Sequence, residues 1–441
     1  MRIAFLTDTY APEINGIVTS VSNFTNCLAE DGHKVLIIAP KYDRKKDHPS
    51  SDNIQVRRYP SFSFASNKAT HIAYPFLLGI IRDLRDFKPD VVHIQTPMSI
   101  GISGVIAARI LNIKIVQTYH SYLPDFMVYL SPYKLLGLEK VSDRIASTKV
   151  MKKVLDSAVM EKVDIFTDKT FRKSSVAKAF RKNARNIWGK KEHTFSERIA
   201  WDYTRSLYGR SDAVITPSIA LAKLLRRHRV KSQVIDVSNG IDFDNFVKKT
   251  DYSIKYRILN VGRLGLEGKN VDVVIRAFAL AAEKEPRLIL DIIGDGPARE
   301  ELKKIAKELK VEEKVNFLGF VDNKVLKKEY CKSDAFITAS TMETQGLVIL
   351  EAMVAGLPVI GVNALAVPEL VRDGQNGVLT KVGDVASLAE AILKMTQNKD
   401  INEKYGKASI EISNKHSLSY CAAKLEKVYE AVINDKPVSK I

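Results

Sequence analysis

A chain of 441 residues is too long for one compact core and is read as two domains of about 200 residues each. Its 45% hydrophobic and 27% charged residues are those of an ordinary globular protein, and Cys27, Cys331 and Cys421 stand far apart without a CxxC pair, which argues against a disulfide framework or a zinc site. The 68 basic and 51 acidic residues leave a net charge of +17, which points to a polyanionic partner, nucleic acid or an anionic membrane surface.

The opening MRIAFLTDTYAPEING lacks the shape of a signal peptide, because Asp8 interrupts the apolar run. The nearest approach to a membrane span, Ser99–Val116, carries Arg109 and Lys114. A cytoplasmic protein with reduced thiols is therefore expected.

In chain order, RIAFLTD (Arg2–Asp8) reads as a buried strand and Asn15–Asp31 as a helix. KVLIIAP (Lys34–Pro40), VVHIQT (Val91–Thr96), IKIVQTYH (Ile113–His120), DAVITPS (Asp212–Ser218) and QVIDVSNG (Gln233–Gly240) read as further strands. The second half repeats the rhythm with YRILNVGR (Tyr256–Arg263), RLILDIIG (Arg287–Gly294), KVNFLGF (Lys314–Phe320), DAFITAS (Asp334–Ser340) and PVIGVN (Pro358–Asn363). Strands that alternate with helices predict parallel sheets. The expectation is an α/β protein of two doubly wound Rossmann-like domains facing a cleft. The first spans 1–245 with a helical insertion at about 131–201, and the second spans 246–415. A C-terminal helix, 416–441, packs back on the first domain.

The basic excess is uneven. Lys169–Lys191 holds nine Lys or Arg and no Asp or Glu, with Phe171, Phe180 and Trp188 interleaved. Either this is a solvated helix face, or Arg172, Lys173, Phe180, Arg181, Lys182 and Trp188 dock on a membrane surface. A second run, Lys223–Lys231, is also basic. The aromatics follow no RNA-recognition pattern, so nucleic acid is not expected.

Open parallel sheets bind ligands beyond the carboxyl ends of their strands. Gly16 follows the first strand and opens a helix that Asn15 can cap, which lets a phosphate or sugar approach the backbone. His120, with Ser121 and Tyr122 behind it, ends a strand where it can orient a hydroxyl or stabilise developing charge. In GRLGLEGKN, Gly262, Gly265 and Gly268 keep a loop open around Arg263 and Lys269, two cations suited to a diphosphate. GDGP, Gly294–Pro297, reads as a structural turn, and the Phe320–Val321 backbone is placed to hold a nucleobase edge. The DFD of Asp242–Asp244 lies in an interdomain connection and is read as turn chemistry rather than a metal site.

The densest stretch is ETQGLVILEAMVAGLPVIG. Glu351 lies in the second turn of a helix whose start, Gln345–Gly346–Leu347, faces the cleft. A carboxylate there can accept ribose hydroxyls, while Glu343 accepts sugar hydroxyls and the helix amides face a diphosphate.

With NGIVTSVSNF, TYHSY, NGID, GRLGLEGKN, GDGP and the Glu343–Glu351 pair, the chain resembles glycosyltransferase family four, most strongly from Val237 to Thr380. The resemblance implies retaining, metal-independent enzymes of the GT-B fold with no cofactor beyond the nucleotide-sugar substrate. It implies that Glu343 contacts the donor sugar, Glu351 the ribose, and Arg263 and Lys269 the diphosphate. Gly16 approaches the phosphate, and His120 is the active-site histidine. Within the family the first half looks most like bacterial diacylglycerol glucosyltransferases and phosphatidylinositol mannosyltransferases. That likeness implies transfer of a hexose, glucose from a UDP-linked donor, to a lipid acceptor by a peripheral enzyme on the inner face of the cell membrane. Asp125 and Tyr122 would touch the acceptor, although Asp125 equally fits a helix cap. A soluble sugar, glycan or phosphatidylinositol acceptor, and a catalytically idle basic binding protein, are the competing readings.

Overall fold

The computed structural model describes residues 1–13, 15–42, 51–64, 67–74, 76–120 and 195–441. The strands of the first domain are β1 (Arg2–Leu6), β2 (Lys34–Pro40), β3 (Ile54–Tyr59), a hairpin β4 (Ser61–Phe64) and β5 (Asn67–Ala73), then β6 (Val91–Ile94), β7 (Lys114–Thr118), β8 (Ala213–Thr216) and β9 (Gln233–Asp236). Seven of them form a parallel sheet in the order β3-β2-β1-β6-β7-β8-β9. The second domain contributes β10 (Arg257–Val261), β11 (Ile289–Ile293), β12 (Val315–Gly319), β13 (Ala335–Ile337), β14 (Val359–Val362) and β15 (Gly377–Thr380). They form a parallel sheet in the order β12-β11-β10-β13-β14-β15. Two Rossmann-like sheets are thus present, as the alternating pattern predicts.

Strands covered on both faces must be apolar at every position, which is why they read as unbroken runs. In β1 and β2, Ala4, Leu6, Leu36 and Ile38 pack with the helices Leu77–Phe87, Ser99–Ile110 and Ile219–Arg227. The alternate residues Ile3, Phe5, Val35 and Ile37 pack with the helix Gly16–Glu30 and with the last helix, Leu418–Ile433. In the second sheet Ile258, Leu290 and Ile292 face the helices Val271–Lys284 and Val385–Gln397. Leu259, Ile293 and Phe336 face the helix Leu347–Val354.

Two departures from the sequence reading have physical causes. The strand β3 and the β4–β5 hairpin go unanticipated because Gln55, Arg57, Ser61 and Ser63 interrupt their apolar residues, so neither reads as an unbroken apolar run. The expected inserted lobe ends too late: Ala200 and Trp201 lie in the helix Phe195–Tyr208, and Trp201 is buried in the first core and stacked on His228. The rest of 131–201, through 194, lies outside the described residues. Lys249 and Tyr252, just past residue 245, pack on the second domain: Lys249 Nζ donates to Ser333 O at 2.6 Å and Tyr252 to Gly356 O at 3.1 Å.

The last helix is fixed to the first sheet by a buried polar contact as well as by its apolar face. His93, at 2% exposure, bonds Tyr429 Oη through Nδ1 at 2.6 Å and Thr118 Oγ1 through Nε2 at 2.7 Å. Burial, and secondarily the charge of nearby His120, hold the His93 imidazole well below its usual protonation range. The unfolded chain therefore takes up a proton at His93 near pH ~6.5 that the folded chain refuses. Folded stability from this group is present above that pH and is lost as pH falls below it. The thermal midpoint of the protein is expected to drop between pH 7 and pH 5, and His93→Gln is expected to flatten that drop. An equal slope in both proteins, followed by differential scanning calorimetry, would contradict the assignment.

Candidate active site

The order of each sheet reverses once, between β1 and β6 in the first and between β10 and β13 in the second. A crevice opens at such a switch point, because the helices on its two sides run to opposite faces. Of the expected site residues of the second domain, Arg263, Lys269, Glu343, Gln345, Gly346, Leu347 and Glu351 follow β10 and β13 at that point, whereas Phe320 follows the edge strand β12. Arg263 follows β10 and is exposed, with no ion-pair partner among the described residues. Six residues on, Lys269 Nζ bonds Glu343 Oε1 at 2.6 Å, joining the loop after β10 to the loop after β13. Thr341 N donates to Gly268 O at 2.8 Å beside them.

The GDGP turn has the structural role read from its sequence. Gly262 N donates to Ile293 O at 3.0 Å and Leu264 N to Asp295 O at 3.0 Å. A methyl group on Gly294 (φ +130°) would stand 1.9 Å from Gly262 O, so only glycine lets the two loops lie backbone to backbone.

After β13 the chain turns through Gly346, whose φ of +91° suits glycine, into the helix Leu347–Val354. No side chain caps this helix start, so its first amides remain available to an anion. Glu351, one turn in, accepts a hydrogen bond from the fully buried Tyr330 at 2.8 Å. Burial raises the Glu351 carboxyl, against the opposing pull of the Tyr330 hydroxyl and the charge of Lys327. The side chain of Gln345, 3% exposed, faces the first domain instead of a ligand: Asn239 N donates to its Oε1 at 3.2 Å, and its Nε2 donates to Ser238 Oγ. Phe320, after β12, is 68% exposed.

The first domain answers across the gap. Asn15 Oδ1 accepts from Ile17 N at 3.0 Å and Val18 N at 2.9 Å, capping the helix that Gly16 opens. A methyl group on Gly16 would lie 3.2 Å from Leu347 Cδ1, so the starts of the two helices meet at one place. Beyond β1, the buried Asp8 accepts hydrogen bonds from Thr96 Oγ1 and from the amides of Met98, Ile100 and Gly101. Beyond β7, His120 is 9% exposed and bonds Gln95 Oε1 through Nε2 at 2.8 Å. Burial lowers its imidazole to about 3. Burial therefore favours the neutral imidazole, which can orient a hydroxyl or stabilise developing charge through a hydrogen bond, the two roles open in the sequence.

The domains also touch outside this gap. Glu369, in the short helix Val367–Leu370, accepts from Ile219 N at 2.9 Å and from Ala220 N, at the start of the first-domain helix Ile219–Arg227. Within the first domain, Ser20 Oγ donates to Asn239 Oδ1 at 3.0 Å and so ties the helix Gly16–Glu30 to the segment that Gln345 meets.

Tyr122, Asp125, Arg172, Lys173, Phe180, Arg181, Lys182 and Trp188 lie outside the described residues. Asp242 accepts from Asp244 N at 3.1 Å and caps a short turn, the role read for it. Among the described residues no group of three or more His, Cys, Asp or Glu is placed to hold a metal ion. Sequence reading passed over Asp8, Gln95, Tyr330 and Glu369. Asp8 and Gln95 follow strands, so the rule that found His120 would have found them, whereas Tyr330 and Glu369 carry no local signal.

Two family profiles match the chain: Glycosyltransferase Family 4 over residues 14–158 and Glycosyl transferases group 1 over 242–412. The chain belongs to the family-four glycosyltransferases. It is 27% identical to the alpha-monoglucosyldiacylglycerol synthase of Streptococcus pneumoniae, over 91% of this chain and 80% of that protein. It is 28% identical to the enzyme of that name from Acholeplasma laidlawii, over the whole of both. Other relatives are named as sulfoquinovosyl and GDP-mannose-dependent mannosyl transferases. Among solved structures, Anabaena HepE in complex with UDP superposes with a TM-score of 0.65 at 17% identity, over 98% of this chain and all of that one. The fold is thus the GT-B fold.

Glu369→Ala removes the acceptor for two amides that bridge the domains. Both amides are at least partly exposed, so water can replace the carboxylate, and the loss is about 1 kcal/mol per bond at most. The ligand-free variant is expected to show a larger radius of gyration by small-angle X-ray scattering than the parent; identical scattering would remove Glu369 as an interdomain tie.

Proposed function

We propose that this glycosyltransferase is a retaining hexosyltransferase that moves glucose from UDP-glucose to a diacylglycerol-type lipid at a membrane surface. The observation that carries this reading is the Lys269–Glu343 pair at the switch point, flanked by two helix starts that meet at Gly16 and Leu347. Amides at helix starts favour a diphosphate, and Lys269 and the unpaired Arg263 add positive charge on its path. Once Lys269 turns to the diphosphate, Glu343 is released to accept the donor sugar's hydroxyls. Tyr330 fixes one oxygen of Glu351, which leaves the other for the ribose. Neutral His120 takes a hydroxyl of the donor sugar by hydrogen bond. The leaving diphosphate takes the acceptor proton on the same face of the sugar, so the protein contributes positioning and charge stabilisation and needs no metal.

Two observations favour a lipid acceptor. Two relatives, matching over 91% and 100% of this chain, are named alpha-monoglucosyldiacylglycerol synthase. The first domain also carries an exposed aromatic cluster, Phe62, Tyr74 and Phe76, with Leu78 83% exposed beside it. The cluster borders a groove lined by Arg57, Arg58, Tyr59 and Arg82 together with Asp83 and Asp86. Aromatic tips with arginines around them suit a headgroup layer. No helix among the described residues is long and apolar enough to cross a membrane. The second reading keeps the donor site and changes the sugar, the base or the acceptor; the relatives named for GDP-mannose favour it.

Transfer from a panel of nucleotide sugars to vesicles containing diacylglycerol tests the proposal. Lipid-linked product from UDP-glucose is expected. Donor hydrolysis without lipid product would move the acceptor into solution, and product from GDP-mannose alone would replace the sugar. Glu351→Ala is expected to raise donor KM by about tenfold or more, a loss of ~1.4 kcal/mol or more, and His120→Ala to lower kcat. Steady-state rates equal to the parent in both variants would remove these residues from the site.

A further inference from the structure

Resting on the reading of His120 as a residue of the transfer site, we propose that Gln95 is a positioning residue for that transfer. Its amide oxygen fixes which nitrogen of His120 carries the proton, and its unpartnered amide N–H group is a second hydrogen-bond donor for the same hydroxyl.

The two residues end neighbouring strands, β6 and β7, which pair in parallel register through Ile94 and Gln117. Gln95 is 3% exposed, and its backbone N–H donates to Leu6 O at 2.8 Å, so the switch point of the first sheet holds it in place. Its Oε1 lies 2.8 Å from His120 Nε2. Its Nε2 is buried and has no hydrogen-bond partner among the described residues. Natural proteins rarely leave such a group unmet, because an unsatisfied buried donor costs roughly 1–3 kcal/mol. An orphan donor beside a residue of the site is therefore accounted for by a ligand.

The electronic consequence follows from the ring. A neutral imidazole has one N–H and one lone pair. A carbonyl oxygen at Nε2 requires the hydrogen there, which leaves Nδ1 as an acceptor. Gln95 and His120 then offer one donor and one acceptor from adjacent strand ends. A sugar hydroxyl, which both gives and takes a hydrogen bond, matches that pair. Of the titratable groups at neighbouring strand ends, His93 is engaged with Tyr429 and Thr118, and Asp8 with Thr96 and three amides. Neither displaces Gln95 from Nε2.

The test combines ring-nitrogen spectroscopy with kinetics on the full chain. Imidazole ¹⁵N shifts, assigned with His120→Asn, are expected to show His120 protonated at Nε2 in the parent and to lose that preference in Gln95→Leu. The Leu variant is expected to lose about tenfold or more in kcat while donor KM stays nearly constant. Gln95→Glu places a carboxylate against Nε2, favours the imidazolium, and is expected to move the acid limb of the kcat–pH profile to higher pH by about one unit or more. A purely structural Gln95 would lower the thermal midpoint and leave the tautomer and the acid limb where they were, and that result overturns the inference. Protonation at Nδ1 in the parent overturns it as well. Should Gln95→Leu fail to fold, the parent's ring shifts and the Glu variant's profile still decide. Parent-like kcat in His120→Ala would instead defeat the underlying reading of His120, a different outcome from any of these.

Discussion

Gln345 sits at the join on which the cleft depends. Its side-chain amide is buried between the domains and bonded at both ends to the segment leaving β9, through Ser238 and Asn239. The next residues, Gly346 and Leu347, begin the helix proposed to face the diphosphate. One buried amide therefore sets the distance between the donor-side helix and the first domain. Each of its bonds contributes about 1 kcal/mol while made, and breaking either leaves a buried polar group unmet. Glu369 repeats the arrangement at a second point, with a carboxylate across the amides of Ile219 and Ala220. The meeting of Gly16 and Leu347 lies in the frame these ties define.

Most of the sheet framework was legible because its physics is local. Strands buried on both faces must be continuous apolar runs, and β1, β2, β10 and β11 are such runs. The edge of the first sheet was not legible, since one side of β3 is wetted by Arg57 and the hairpin beside it exposes Phe62. Residue positions in the site were legible wherever a strand end announced them, as with Gly16, His120 and Arg263. Their partners were not. Lys269 and Glu343 are 74 residues apart, and nothing in either stretch states that they bond. Tyr330 lies on a helix whose pattern is ordinary, and only folding brings its hydroxyl to Glu351. The protonation of His120 was likewise hidden, because it comes from burial that no neighbouring residue reveals.

The division of labour between the sheets follows from the same geometry. The second sheet gathers the cations, carboxylates and helix amides suited to a nucleotide sugar. The first supplies Gly16, Asp8, Gln95 and His120 along one edge, and the aromatic and arginine surface elsewhere. The gap is thus lined by both domains, with cations and carboxylates on one side and a histidine with its amide partner on the other.

The last helix, Leu418–Ile433, has a consequence for how the molecule is made. It completes the core of the first domain, packing Cys421, Leu425, Val428 and Tyr429 on Ile3, Phe5 and Val21. A ribosome delivers the first sheet early and this cover only after the entire second domain. Until then one apolar face of the first sheet lacks the helix that shields it, and the nascent chain must be kept from aggregating until Leu418–Ile433 emerges. The two domains are thus unequal in biogenesis: the second is contiguous in sequence and can close as it is translated, while the first closes only once a helix made after the second domain has returned to it.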